Sequence, residues 1–147
     1  MAQPKLTGLR QAVFAQLVAS ADILAALPKY RGKPAIFTNW IVPADAPVPR
    51  IVIENFVAGA SDDTTTSSER MPSLEIYIYG SAKVTTASPT AIDDLAETVR
   101  SVLHNADPHL SGWTCIKSTA SGPVTAPTDE NFVGRLITMD YWFSQAN

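Results

Sequence analysis

The chain has 147 residues, 46% of them hydrophobic and 17% charged, with a formal net charge of −3. That is the length of one domain, enough to bury a sizeable core, and too apolar for a wholly disordered chain. Its 11 Lys and Arg never form a run, which excludes a nucleic-acid footprint, and no uninterrupted apolar stretch reaches the length of a membrane span.

Residues 7–27 carry a helical period: Leu9, Val13, Leu17, Ala21 and Leu24 recur at spacings of three and four, widened by Phe14, Val18 and Ala25. Thr7 is placed to cap its start and Pro28 to end it. The N-terminus MAQPKLTGLRQ has no basic start followed by an apolar stretch, so no signal peptide is expected. After the basic turn YRGKPA, residues 36–42 (with Ile36, Phe37, Trp40, Ile41 and Val42) and 50–57 read as strands. Between them stand Pro43, Pro47 and Pro49, which donate no backbone hydrogen bond and bias their predecessors away from helix. That connector predicts a wide, rigid bend that redirects the chain at a sheet edge.

The stretch AGASDDTTTSSERMP, residues 58–72, is small and polar and predicts a mobile loop, since it offers little surface to bury. In SLEIYIY the alternation is strict, with Leu74, Ile76 and Ile78 on one face and Glu75, Tyr77 and Tyr79 on the other. A second helix is expected from Ser88–Pro89–Thr90, with Thr90 and Asp93 at capping-box spacing. Its buried stripe is Ile92, Leu95, Ala96, Val99, Val102 and Leu103, and Asp107–Pro108 stops it. Residues 113–119 and 132–143 read as strands on either side of a second polar, mobile loop, 120–131. The expected fold is a single α+β domain over residues 1–147: a mostly antiparallel sheet of four to five strands, with two helices on one face.

Motifs that carry chemistry are missing: no Gly-rich phosphate loop, GxSxG, HExxH or CxxC occurs. No catalytic, cofactor-binding or metal residues are therefore expected. His104 and His109, with Asp107 and Cys115 nearby, read as a helix-to-strand turn rather than a metal centre. Cys115, the only cysteine, reads as a small buried residue of an apolar strand and permits no intrachain disulfide, as in a reducing compartment. Asp62, Asp63 and Glu69 do not have EF-hand spacing and read as solvated loop charges. Tyr77 and Tyr79 are different. If helices cover the Leu74/Ile76/Ile78 face, these tyrosines meet solvent or a partner. The candidate assembly interface comprises Asp62, Asp63, Glu69, Arg70, Tyr77 and Tyr79.

The order of elements, with "LAALPKYRGKPAIFTNWIVPADAPVPRIVI" leading through a polar loop to "LEIYIYGSAKVTTASPTAIDDLAETVRSVL" and two final strands, resembles the tail terminator (tail-completion) proteins of long-tailed bacteriophages and prophages. Pro43, Pro49, Ile51–Ile53, Ile92, Val99 and Leu103 stand at the places of that family's pattern. The resemblance implies a structural, non-enzymatic subunit that forms a hexameric ring, caps the tail tube and stops its polymerisation. It implies as partners other copies of itself, the tail tube protein and the head connector protein, with DNA passing through the lumen without specific binding. No membrane or cofactor is implied, and the place is the head-proximal end of the virion tail, with host cytoplasm during assembly. The alternatives are another head–tail connector or neck protein, and a small ligand-binding α+β domain.

Overall fold

The computed structural model describes residues 6–38, 42–126 and 132–146, apart from the side chains of Thr7 and Asn55. The expected α+β architecture is present. A short 3-10 turn leads into α1 (Leu9–Val18) and α2 (Ala21–Ala26). Three short strands follow, β1 (Lys29–Tyr30), β2 (Lys33–Pro34) and β3 (Ile36–Phe37), and then the long strands β4 (Arg50–Asp63) and β5 (Ser67–Gly80). The chain ends with α3 (Pro89–Leu103), β6 (Thr114–Thr125) and β7 (Val133–Ala146). The main sheet has five strands in the order β3-β4-β5-β7-β6, while β1 and β2 pair as a separate hairpin.

All neighbours in the main sheet are antiparallel except β3 and β4, which run parallel with Ile36 beside Ile51 and Phe37 beside Val52. This accounts for the proline-rich connector. Parallel neighbours cannot be joined by a tight turn, so the chain must leave β3 and return to the start of β4. The expected strand 36–42 is shorter than its composition suggests, with pairing only at Ile36–Phe37; residues 39–41, Trp40 among them, lie outside the described residues.

The single helix expected over 7–27 is two. Ser20 adopts an extended backbone conformation and its hydroxyl accepts from the Ile23 amide, starting α2 afresh. The break rotates the apolar stripe: Leu9, Val13 and Leu17 are buried as expected, but Ile23 takes the place assigned to Leu24, which is 38% exposed. The proposed cap at Thr7 falls on a side chain outside the description. In α3 the expected stripe holds except at Val102: Ile92, Leu95, Ala96, Val99 and Leu103 are buried, while Val102 is half-buried at its margin. Its cap is Ser88, whose hydroxyl accepts from the Ala91 amide, with Pro89 in the first turn; the Thr90–Asp93 box is not used.

These helices cover one face of the sheet, α3 lying on β5, β6 and β7 and α1 on β4. Ile51, Ile53, Leu74, Ile76, Ile78, Ile137, Met139 and Phe143 point up to meet them, each fully buried. Burying such a side chain contributes about 1.5–3 kcal/mol, which makes this layer the main source of stability.

The loop expected at 58–72 is instead a hairpin end. β4 continues to Asp63, β5 resumes at Ser67, and only residues 64–66 turn. Two register shifts, between Glu54 and Val57 and between Val57 and Ala60, disguise the strand by breaking its alternation. Gly59 is required there: its φ is +71°, and a Cβ would lie 1.8 Å from the Met71 carbonyl oxygen. The loop expected at 120–131 is likewise strand through Thr125; residues 127–131 lie outside the described residues.

Candidate functional site

The helix-free face of the sheet holds the tyrosines singled out from the sequence, and the alternation places them there as expected. Tyr77 and Tyr79 stack with ring centroids 5.8 Å apart and planes 5° from parallel. Arg50, at the start of β4, lies over the Tyr79 ring at 5.6 Å and the Phe132 ring at 5.1 Å, and one of its terminal nitrogens donates to the Ala46 carbonyl (3.2 Å). Such cation–aromatic contacts hold a guanidinium flat on a surface without an ion pair. Burial, its largest cause, lowers the pKa of Arg50. Neither Arg50 nor Phe132 was a candidate from the sequence, because both come to Tyr79 from other parts of the chain.

Beside this aromatic group lie two carboxylates. Glu54 and Glu75 stand directly opposite each other on β4 and β5. The Tyr77 hydroxyl donates to the Glu75 carboxylate. Burial first, and the adjacent carboxylates next, push Tyr77 up to about 12. Glu54 lies above the ordinary carboxylate range because of burial and then Glu75, partly offset by Arg10.

A raised carboxyl contributes stability that is complete below its unfolded pKa and lost as pH rises through its folded value. Glu54→Gln should therefore raise the melting temperature at pH 7 and change nothing at pH 3, where the carboxyl is already neutral. The gain is below about 1 kcal/mol, or roughly 2–4 °C, the scale of a like-charge cross-strand pair. A thermal melt in which the variant loses stability at pH 7 would instead make Glu54 a net partner of Arg10.

Farther along the same face, Glu69 accepts from the Trp142 indole (2.7 Å), the Ser144 hydroxyl (3.1 Å) and the Ser67 hydroxyl (3.2 Å). The Trp142 bond is the largest cause of its lowered pKa. Ser73 donates to Asp140 at 2.7 Å. A depression of about 320 Å³ lies between these groups, lined by Met71, Lys117, Thr119, Asp140, Tyr141 and Trp142. Val57 (56% exposed), Met71 (38%) and Trp142 (41%) reach solvent around it, and Val124 (55%) does so farther along the face, opposite Leu136.

The candidates therefore divide. Tyr77, Tyr79 and Glu69 lie on the helix-free face, whereas Asp63 and Arg70 form an ion pair across the hairpin end. Arg70 lowers the pKa of Asp63, and its guanidinium also lies 6.0 Å from the Trp113 ring, so it ties the hairpin to the start of β6. Asp62 is exposed on the outer strand, opposite Glu69. His104 has a structural use: its Nδ1 accepts from the Ala120 amide at 3.1 Å. Cys115 is half-buried, its thiol pushed up by burial and by Asp107. Among the described residues no cluster of three His, Cys, Asp or Glu is placed to hold a metal ion, and no helix is long and apolar enough to cross a membrane.

No family model matches the chain, and no curated protein matches it. Among solved structures, it is similar to a chain described as "Virion of native gene transfer agent (GTA) particle". The TM-score is 0.74, with 92% of this chain and 94% of that chain covered at 16% sequence identity. At that identity the likeness is one of fold. It spans both chains nearly end to end, so the layout of helices and sheet described above is shared as a whole.

Proposed function

We propose that this chain is a structural component of a phage-like virion and, within that class, a tail terminator. Copies of it form a ring, six in number by the family resemblance, that caps the tail tube, stops its polymerisation and offers the joining surface to the head connector. The observation that carries the proposal is the fold likeness to a virion chain over nearly the whole of both chains. The helix-free face supports it. A monomer gains nothing from leaving Val57, Met71 and Trp142 in water together, whereas a subunit of an assembly covers such a surface.

The test is to add the purified protein to polymerising tail tube protein and measure tube lengths by negative-stain microscopy. Tubes that stop growing and carry a ring at one end are the expected result. Tubes of unchanged length with bare ends would leave a neck or connector role as the better account.

A further inference from the structure

The two edges of the main sheet are finished differently. The β6 edge is closed by the chain that leaves α3. The Asn105 amide donates to the Ser118 carbonyl (3.0 Å), the Ala120 amide to His104 Nδ1 (3.1 Å), and Arg100 Nε to the Gly122 carbonyl (3.1 Å). At the opposite edge β3 covers β4 only at Ile51 and Val52. Beyond the register shifts, Ala60–Asp63 pair regularly with β5 on one side. Among the described residues no backbone hydrogen bond reaches their other side. The segment Val57–Asp63 is exposed throughout; the register shifts disrupt its first part, whereas Ala60–Asp63 is regular and carries no Lys, Arg or Pro.

We propose that this edge docks the β1–β2 hairpin of a second copy of the chain, and that this contact joins neighbours in the ring; it rests on the assembly reading above. Charge selects the occupant. On the open edge Asp63 is paired with Arg70 and Asp62 is exposed, so two copies of the edge set side by side would bring the Asp62 carboxylates together. The β6 edge of a neighbour is closed over Ser118–Gly122, and its mostly exposed start, Thr114–Lys117, offers a single cation, Lys117. The β1–β2 hairpin is the remaining pair of strands, it stands apart from the main sheet, and Lys29, Arg31 and Lys33 are all exposed on it. Its two-residue strands are short enough to be seated within the four-residue regular stretch Ala60–Asp63. Arg31 and Gly32 both have positive φ, 52° and 79°, which makes the tight turn that presents these cations.

Hairpin and edge lie at opposite ends of β4, about 30 Å apart at the usual rise of a strand. The contact therefore uses two different patches, as a head-to-tail assembly requires.

The experiment is a charge swap on the full chain, read by sedimentation at low and at physiological salt. Asp62→Lys alone and Lys33→Glu alone should each weaken self-association about tenfold or more, and added salt should weaken the wild type. The double variant Asp62→Lys/Lys33→Glu should recover association to near the wild-type value. Circular dichroism melts confirm folding, since both side chains are exposed. Single variants that associate like wild type, a double variant no better than either, or a wild-type chain that stays monomeric would each overturn the contact. A two-copy particle that obeys the swap would support the contact and contradict the ring, so the two failures are separable.

Discussion

Leu95→Asp should leave the chain without a cooperative melt at neutral pH. Leu95 is 4% exposed in the middle of the α3 stripe, packed between the helix layer and the sheet. The substitution removes an apolar side chain and puts a carboxyl among buried apolar neighbours, at a cost of about 4 kcal/mol. Total stabilities of such domains are about 5–15 kcal/mol, so most of the margin goes. The buried carboxyl favours its neutral form, so its pKa rises in the folded state. The variant should accordingly be less unstable at pH 4 than at pH 7. Leu95→Met, which keeps the volume, should melt within a few degrees of wild type because its cost is below about 1.5 kcal/mol. Far-UV circular dichroism on all three proteins checks this, and a wild-type melt for Leu95→Asp would mean that α3 does not face the core.

Replacing Ala60–Arg70 with a short Gly-Ser link should destabilise the fold, although the sequence alone makes this segment look dispensable. Loop closure contributes little to the difference. What is lost is tertiary. Ser67–Arg70 pair with Phe143–Ala146 of β7, Ser68 is 2% exposed, Arg70 reaches Asp63 and Trp113, and Glu69 holds the Trp142 indole. Phe143, fully buried, would lose the strand at its side. The expected result is a fall in melting temperature of about 10 °C or more, corresponding to several kcal/mol for a chain of this size. Trp113 and Trp142 fluorescence should shift to longer wavelength. A melting temperature within a couple of degrees of wild type would show that the hairpin end carries no such weight.

The contrast between α3 and the hairpin end shows what could be read from the sequence. α3 announces itself locally, through Pro89 at its entrance and a stripe from Ile92 to Leu103, and β5 does so through Leu74, Ile76 and Ile78. In both, the period that buries the side chains is written in adjacent residues. Residues 58–72 hide their strands because the bulges around Val57 and Gly59 break the alternation. The groups that order Glu69 and Arg70, namely Trp142, Ser144 and Trp113, also come from far along the chain. The break between α1 and α2 was visible as Ser20, a good cap, but the small side chains around it kept the helical period running past it. The tyrosine pair of the candidate surface followed from alternation. Arg50, Phe132 and the uneven closure of the two sheet edges depend on strand order, which no local pattern encodes.

Tail length in particles made without this gene tests the central claim most directly. A subunit that stops tube growth and joins tail to head should, when absent, leave tubes of widely varying length, many beyond the normal one, beside filled heads that carry no tails. Supplying the wild-type chain in trans should restore a single length. Tails of normal, uniform length joined to heads in the complete absence of the chain would contradict the terminator account.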